Sequence, residues 1–165
     1  MELQVLPKQD TIPAFDKQAI KLQHIAYFDA PYNEYEGEEI TEDVITEVLR
    51  KIPAGINIYL SLIPYGEDDW LEVNCNGEWL SLGYSSQNGQ NNYYSYNCSF
   101  ADTAEQIGEA DFSDETIYSP LESGGQSPIP KIQAITDIET GVQAVEYFIR
   151  TGELYPGISW LHEFQ

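Results

Sequence analysis

Cations are what this sequence has least of. Seven lysines and arginines stand against 28 aspartates and glutamates, a formal net charge of −21 over 165 residues. Binding to nucleic acid draws its affinity from cations that displace condensed counterions. The charge balance therefore excludes a nucleic-acid binder and equally disfavours an anionic membrane surface. Cysteine is scarce as well. Cys75 and Cys98 are too few for a disulfide framework and are expected to remain thiols in a reducing cytoplasm, where we place the protein. A Cys75–Cys98 bridge is geometrically open but unsupported. No apolar run approaches 18 residues, so no membrane span is expected. The N-terminus lacks an apolar h-region, so a secretory signal is not expected either.

Recognisable catalytic motifs are also missing. There is no P-loop, no Gly-x-Gly-x-x-Gly after a strand and no Gly-x-Ser-x-Gly elbow. The two histidines, His24 and His162, lie at opposite ends of the chain, and no cysteine, histidine or acid pair stands near His24 at a metal-ligand spacing. His24 reads as a packed or edge histidine and His162 as part of an exposed tail. Carboxylate pairs suited to a glycosidase occur, but among 28 acids such pairs arise by chance. Glu67-Asp68-Asp69 beside Asn74 and Asn76 lacks the oxygen spacing of an EF-hand. The sequence thus predicts no catalytic residue, no cofactor and no metal.

What is present suits one α+β domain spanning 1–165. Residues 1–20 carry Pro7, Pro13, Lys8 and Lys17 but no clear periodicity. Apolar alternation predicts strands over 22–28, 56–63, 70–75, 78–84 and 92–100. Asn76-Gly77 predicts a hairpin with a type I′ turn, and Cys75 reads as a small core residue. Thr41 is a helix cap before Glu42 and Asp43, whose charges suit the helix dipole. Val44, Ile45, Val48, Leu49 and Ile52 mark the buried face of that helix, which Pro53 and Gly55 stop. Between 101 and 131 the reading is weakest: a short helix near 104–109, a brief strand at 116–118, then loop, with a last short strand at 131–135. The pattern predicts an antiparallel sheet of five to six strands with helices near 41–52 and 137–150 on one face.

The C-terminal stretch is the clearest. Thr136 and Glu139 have the spacing of a capping box. Ile138, Val142, Val145, Phe148 and Ile149 follow with helical period. Arg150 suits the last turn, Gly152 suits the left-handed stop, Pro156 prevents resumption, and Trp160 anchors the tail. The run Val145-Glu146-Tyr147-Phe148-Ile149-Arg150-Thr151-Gly152-Glu153-Leu154-Tyr155-Pro156-Gly157-Ile158-Ser159-Trp160 resembles the end of the Imm-one family, immunity proteins of bacterial polymorphic-toxin systems. Those chains close with a helix ending in phenylalanine, a Thr-Gly turn, a proline and a tryptophan. The order of elements is similar from about residue 22 to 160, and the helix at 41–52 resembles the family's first helix.

The resemblance implies a non-enzymatic protein that neutralises a cognate contact-dependent toxin, a deaminase or nuclease domain, by blocking its active site. Such a toxin would be basic, and an acidic partner suits it by electrostatic steering. The residues expected to meet it are the loop acids Glu67, Asp68 and Asp69, a later acidic run at Asp111, Asp114 and Glu115, and the tyrosines Tyr93, Tyr94 and Tyr96. Tyrosine suits strands and binding surfaces alike, so those rings either cover the sheet or face a partner. The alternative is a non-catalytic carbohydrate- or peptide-binding module using the exposed tyrosines and the tryptophans. The sequence leaves the oligomeric state open.

Overall fold

The computed structural model describes residues 2–164 and shows an α+β protein. Its elements in chain order are β1 (Glu2–Leu6), β2 (His24–Tyr27), β3 (Glu34–Glu36), α1 (Glu42–Lys51), β4 (Ile56–Ser61), β5 (Trp70–Cys75), β6 (Leu80–Ser86), β7 (Asn91–Ser95), β8 (Tyr118–Ser123), β9 (Ser127–Pro130), α2 (Ile138–Thr151) and β10 (Trp160–Phe164). Eight strands form one antiparallel sheet in the order β1-β10-β7-β6-β5-β4-β2-β3, and β8 pairs with β9 alone. The main sheet is therefore wider than the five to six strands expected. β1, β3 and β10 are the additions, all too short or too irregular in apolar pattern to announce themselves. Among the described residues, no helix is long and apolar enough to cross a membrane.

Strand alternation gives the sheet two unlike faces. Ile58, Leu60, Leu71, Val73, Leu80 and Leu82 point to one side and are fully or almost fully buried. They form one cluster with Ile45 and Val48 of α1 and Val145, Phe148 and Ile149 of α2, so both helices cover the same face. Gly141 makes the close approach possible, because a Cβ there would lie 2.7 Å from a Leu80 methyl. The expected cap of α2 moves by one residue. Asp137, not Thr136, is the N-cap, and its carboxylate accepts from the Thr140 N–H (3.1 Å) and hydroxyl (2.7 Å). A carboxylate suits the positive helix end better than a hydroxyl does. At the other end Gly152 is left-handed (φ 74°), as the sequence suggests, and its N–H donates to the Phe148 carbonyl at 2.8 Å. Arg150 does more than complement the dipole. It is buried, and its guanidinium donates to both Glu42 oxygens (2.6 and 2.8 Å), joining the end of α2 to the start of α1.

Two loop readings change. The β5–β6 turn has Gly77 and Glu78 at its centre, closed by the Asn76 N–H to the Trp79 carbonyl at 3.1 Å. Only Gly77 has positive φ (93°), a type II′ feature. Asn76 instead caps the turn, its side-chain oxygen accepting from the N–H groups of Glu78 and Trp79. After Ser95 the chain leaves the sheet, and 98–106 is 3-10 helix where a strand continuation and then a short helix were expected. The expected loop after 118 contains the β8–β9 hairpin, and 131–133 is 3-10, leaving only an Ile135–Leu80 bridge. Leu121, Ile129 and Ala134 pack with Trp79 in a second small cluster, and the Ser123 hydroxyl donates to Glu72 at 2.8 Å. Glu72 points away from the helices, so this hairpin covers part of the other sheet face.

Candidate functional site

The uncovered part of that second face is the candidate site. Register places Tyr59 opposite Glu72, Glu72 opposite Gly83, and Gly83 opposite Tyr94. Trp70 faces Ser61 on one side and Ser85 on the other. The Phe28 and Tyr59 rings meet edge-on at 4.4 Å, and Tyr59 and Trp70 stack at 6.2 Å with 12° between their planes. Tyr94 lies over Gly83, where a Cβ would touch its ring at 3.7 Å. The result is an aromatic row, Phe28–Tyr59–Trp70, and a separate ring at Tyr94 with Glu72 between.

The electrostatics of the face are one-sided. Among the described residues no strand contains a lysine or arginine. The Tyr59 phenol is pushed up to about 12, first by burial and then by the Glu72 carboxylate. Tyr94 is pushed up to about 12 as well, by burial and then by Glu163 and Glu72. Both phenols therefore stay protonated and keep their O–H donors at any physiological pH. Four of the seven cations are occupied elsewhere. Arg50 pairs with Glu47, Arg150 with Glu42, Lys51 stands over Tyr27, and Lys131 stands over Trp79 and Phe100.

The residues expected from sequence do not form one patch. Glu67 is exposed in the β4–β5 loop, which leads directly into Trp70 at the rim of the open face. In that loop the Asp68 backbone carbonyl accepts from the Ser61 hydroxyl at 2.6 Å, and the Asp69 carboxylate accepts from the Tyr84 hydroxyl at 2.9 Å. Asp111 and Asp114 brace their own turns, accepting from the N–H and hydroxyl of Ser113 and Thr116 respectively. Those bonds hold both carboxyls below the usual range. Glu115 lines a cleft of about 470 Å³ with Trp79, Phe112, Tyr118 and Lys131. Trp79 lies past the far end of β5, so the two acidic groups are separated by that six-residue strand, roughly 20 Å at about 3.3 Å per residue.

The tyrosines divide too. Tyr94 faces outward. Tyr93 points to the helix side and stacks on His162 at 4.1 Å. Tyr96 lies beyond β7, half-buried, its N–H bonded to the Ser159 carbonyl. His162 is accordingly a half-buried strand residue, not part of a free tail. Phe28, Tyr59 and Glu72 do not stand out in the sequence as binding residues, and Trp70 enters only with the other tryptophans in the carbohydrate- or peptide-binding alternative. Alternation already turned Tyr59, Trp70 and Glu72 away from the core, and strand order was the missing information.

His24 is packed, as expected, at 8% exposure, but it has two acidic neighbours that its place in the sequence does not suggest. Its Nε2 lies 2.6 Å from a Glu34 oxygen and 3.2 Å from a Glu36 oxygen. The acids return on β3 as its antiparallel neighbours, which a search for ligand spacing along the chain does not find. No protein-family model matches the chain, and no curated protein matches it.

Proposed function

We propose that this chain is an immunity protein that neutralises a cognate toxin domain, a deaminase or nuclease, by lying over its active site. The observation that carries the reading is the open face, where rings and carboxylates share one sheet surface whose strands hold no lysine or arginine. A pocket that receives a polyanion is lined with cations. Guanidinium and ammonium groups stack on aromatic faces and make charge-assisted hydrogen bonds to carboxylates such as the exposed Glu67 at the rim of the face. Such binding requires no catalytic residue in this chain. The net charge of −21 accelerates encounter with a basic partner, and the resemblance of the C-terminal run to the Imm-one family supports the reading independently.

The test is coexpression with a toxin domain encoded immediately upstream, scoring survival, followed by association kinetics between about 50 and 500 mM salt, where the screening length falls several-fold. Survival is expected, with association slowing steeply as salt rises. Trp70→Ser should mainly speed dissociation, because rings anchor a bound complex while charge steers encounter. Death despite coexpression overturns the reading, and salt-indifferent association overturns the polyanion-mimic mechanism. A non-catalytic carbohydrate- or peptide-binding module is the second reading. The cleft between Trp79, Phe112 and Tyr118 favours it, and saturable binding to a glycan or peptide array, lost in Trp79→Ala, would establish it.

A further inference from the structure

We propose that His24, Glu34 and Glu36 form a binding site for a divalent first-row metal ion, best suited to zinc. The three side chains can each offer one ligand atom, and those atoms all lie within 4.8 Å of one another. One imidazole nitrogen with two carboxylate oxygens is a zinc-type donor set, whereas calcium and magnesium prefer oxygen alone. Bond lengths near 2.1 Å around a tetrahedral ion put neighbouring ligand atoms about 3.4 Å apart. The His24 Nε2–Glu36 separation is 3.2 Å and already fits. Only Glu34, at 2.6 Å, must draw back, and its exposed side chain is free to do so.

The imidazole distinguishes this group from the chain's purely acidic clusters. His24 is 8% exposed and aims Nε2 at both carboxylates. Its ring is seated against Gly66, where a Cβ would lie 2.4 Å from Nδ1. The same loop orients Glu36, since the Tyr65 N–H donates to its other oxygen at 3.3 Å. Tyr65 adopts φ 65° and Gly66 φ 69° in doing so, and the left-handed conformation of Tyr65 is one that a non-glycine residue adopts at a cost. His24 and Glu36 are direct cross-strand partners, and Glu34 lies two residues along on the same face. Two ligands are therefore held in place before an ion arrives. Exposed Glu34 leaves the fourth position open to water or to a donor from a bound molecule. A neutral imidazole with two carboxylates carries −2, which a dication neutralises.

The inference does not rest on the toxin reading. The test uses the full chain, stripped with chelator and titrated with zinc chloride while long-range ¹H–¹⁵N spectra report the two histidine rings separately. Expected are a saturable one-to-one isotherm by calorimetry, movement of the His24 ring nitrogens and no movement of His162. Glu34→Gln should weaken binding at least tenfold and Glu78→Gln should leave it unchanged. Calcium at the same concentration should leave the His24 ring signals in place. His24→Asn should abolish the one-to-one event. If that variant fails to fold, Glu34→Gln decides alone, because its side chain is exposed. Unmoved His24 signals in excess zinc, or equal affinity in wild type and Glu34→Gln, would mean that the cluster is only an ion pair.

Discussion

Replacing Trp160 measures how far the C-terminal strand holds the core together. The ring is 5% exposed, belongs to the main apolar cluster and donates its Nε1–H to the Tyr155 carbonyl at 2.8 Å. Trp160 also opens β10, paired with Leu6 of β1 and Ser95 of β7. A tryptophan buries about 150–250 Å², which at about 25 cal/mol/Å² is roughly 4–6 kcal/mol. That is an upper bound, since the unfolded chain already hides some of this surface. Alanine keeps only the Cβ, so Trp160→Ala should cost about 3–5 kcal/mol. Trp160→Phe keeps most of the packing and strands the Tyr155 carbonyl, for about 1–3 kcal/mol. Urea unfolding followed by far-ultraviolet circular dichroism separates the two. With a slope of about 2 kcal/mol/M, the alanine midpoint should fall by about 1.5–2.5 M and the phenylalanine midpoint by about 0.5–1.5 M. An alanine shift below about 0.3 M, or equal shifts for both variants, would refute a buried, hydrogen-bonded ring.

Gly152→Val should cost about 1–2 kcal/mol, because it forces a β-branched residue into the left-handed region; an unchanged urea midpoint would mean that the α2 terminus readily takes another conformation. Acid should weaken the fold through specific carboxylates. Glu42 is held low by its hydrogen bonds to Arg150, and Asp137 by those from Thr140. A folded-state pKa below the unfolded one stabilises at neutral pH, and that stability is lost as pH falls from about 4 through the folded value. Glu42→Gln and Asp137→Asn should therefore lower stability at pH 7 and narrow their deficit against wild type near pH 3. A deficit that does not change with pH would show that neither carboxylate titrates with folding.

Legibility in the sequence followed burial. Ile56, Ile58 and Leu60 alternate with less buried neighbours, and β4 was plain. In β10 both Trp160 and Leu161 are buried, so the alternation that would mark a half-buried strand is missing. β3 turns one ring, Tyr35, to the core between two glutamates, and inside an acidic run that signal disappears. Pro120 and Pro128 read as loop, yet a two-stranded hairpin tolerates prolines that a central strand would not. The candidate site was half legible for the same reason. Period two turns Trp70 and Glu72 outward together, but placing them beside Tyr59 and Tyr94 requires the β4-β5-β6-β7 order. The His24–Glu36 pairing is likewise a matter of register.

The sheet has an open edge at each end, β1 and β3, and the two are chemically unlike. The β3 edge is three residues long, Glu-Tyr-Glu. A second chain laid along it would meet carboxylates at once, a short charged border of the kind that blocks strand addition. The β1 edge is longer and shows Leu3 and Val5 to solvent. Fibre growth by strand addition needs a sticky border on both sides of every subunit. Here only one side qualifies, and two β1 edges that join consume each other. Strand addition along the main sheet thus ends in a closed pair and does not propagate.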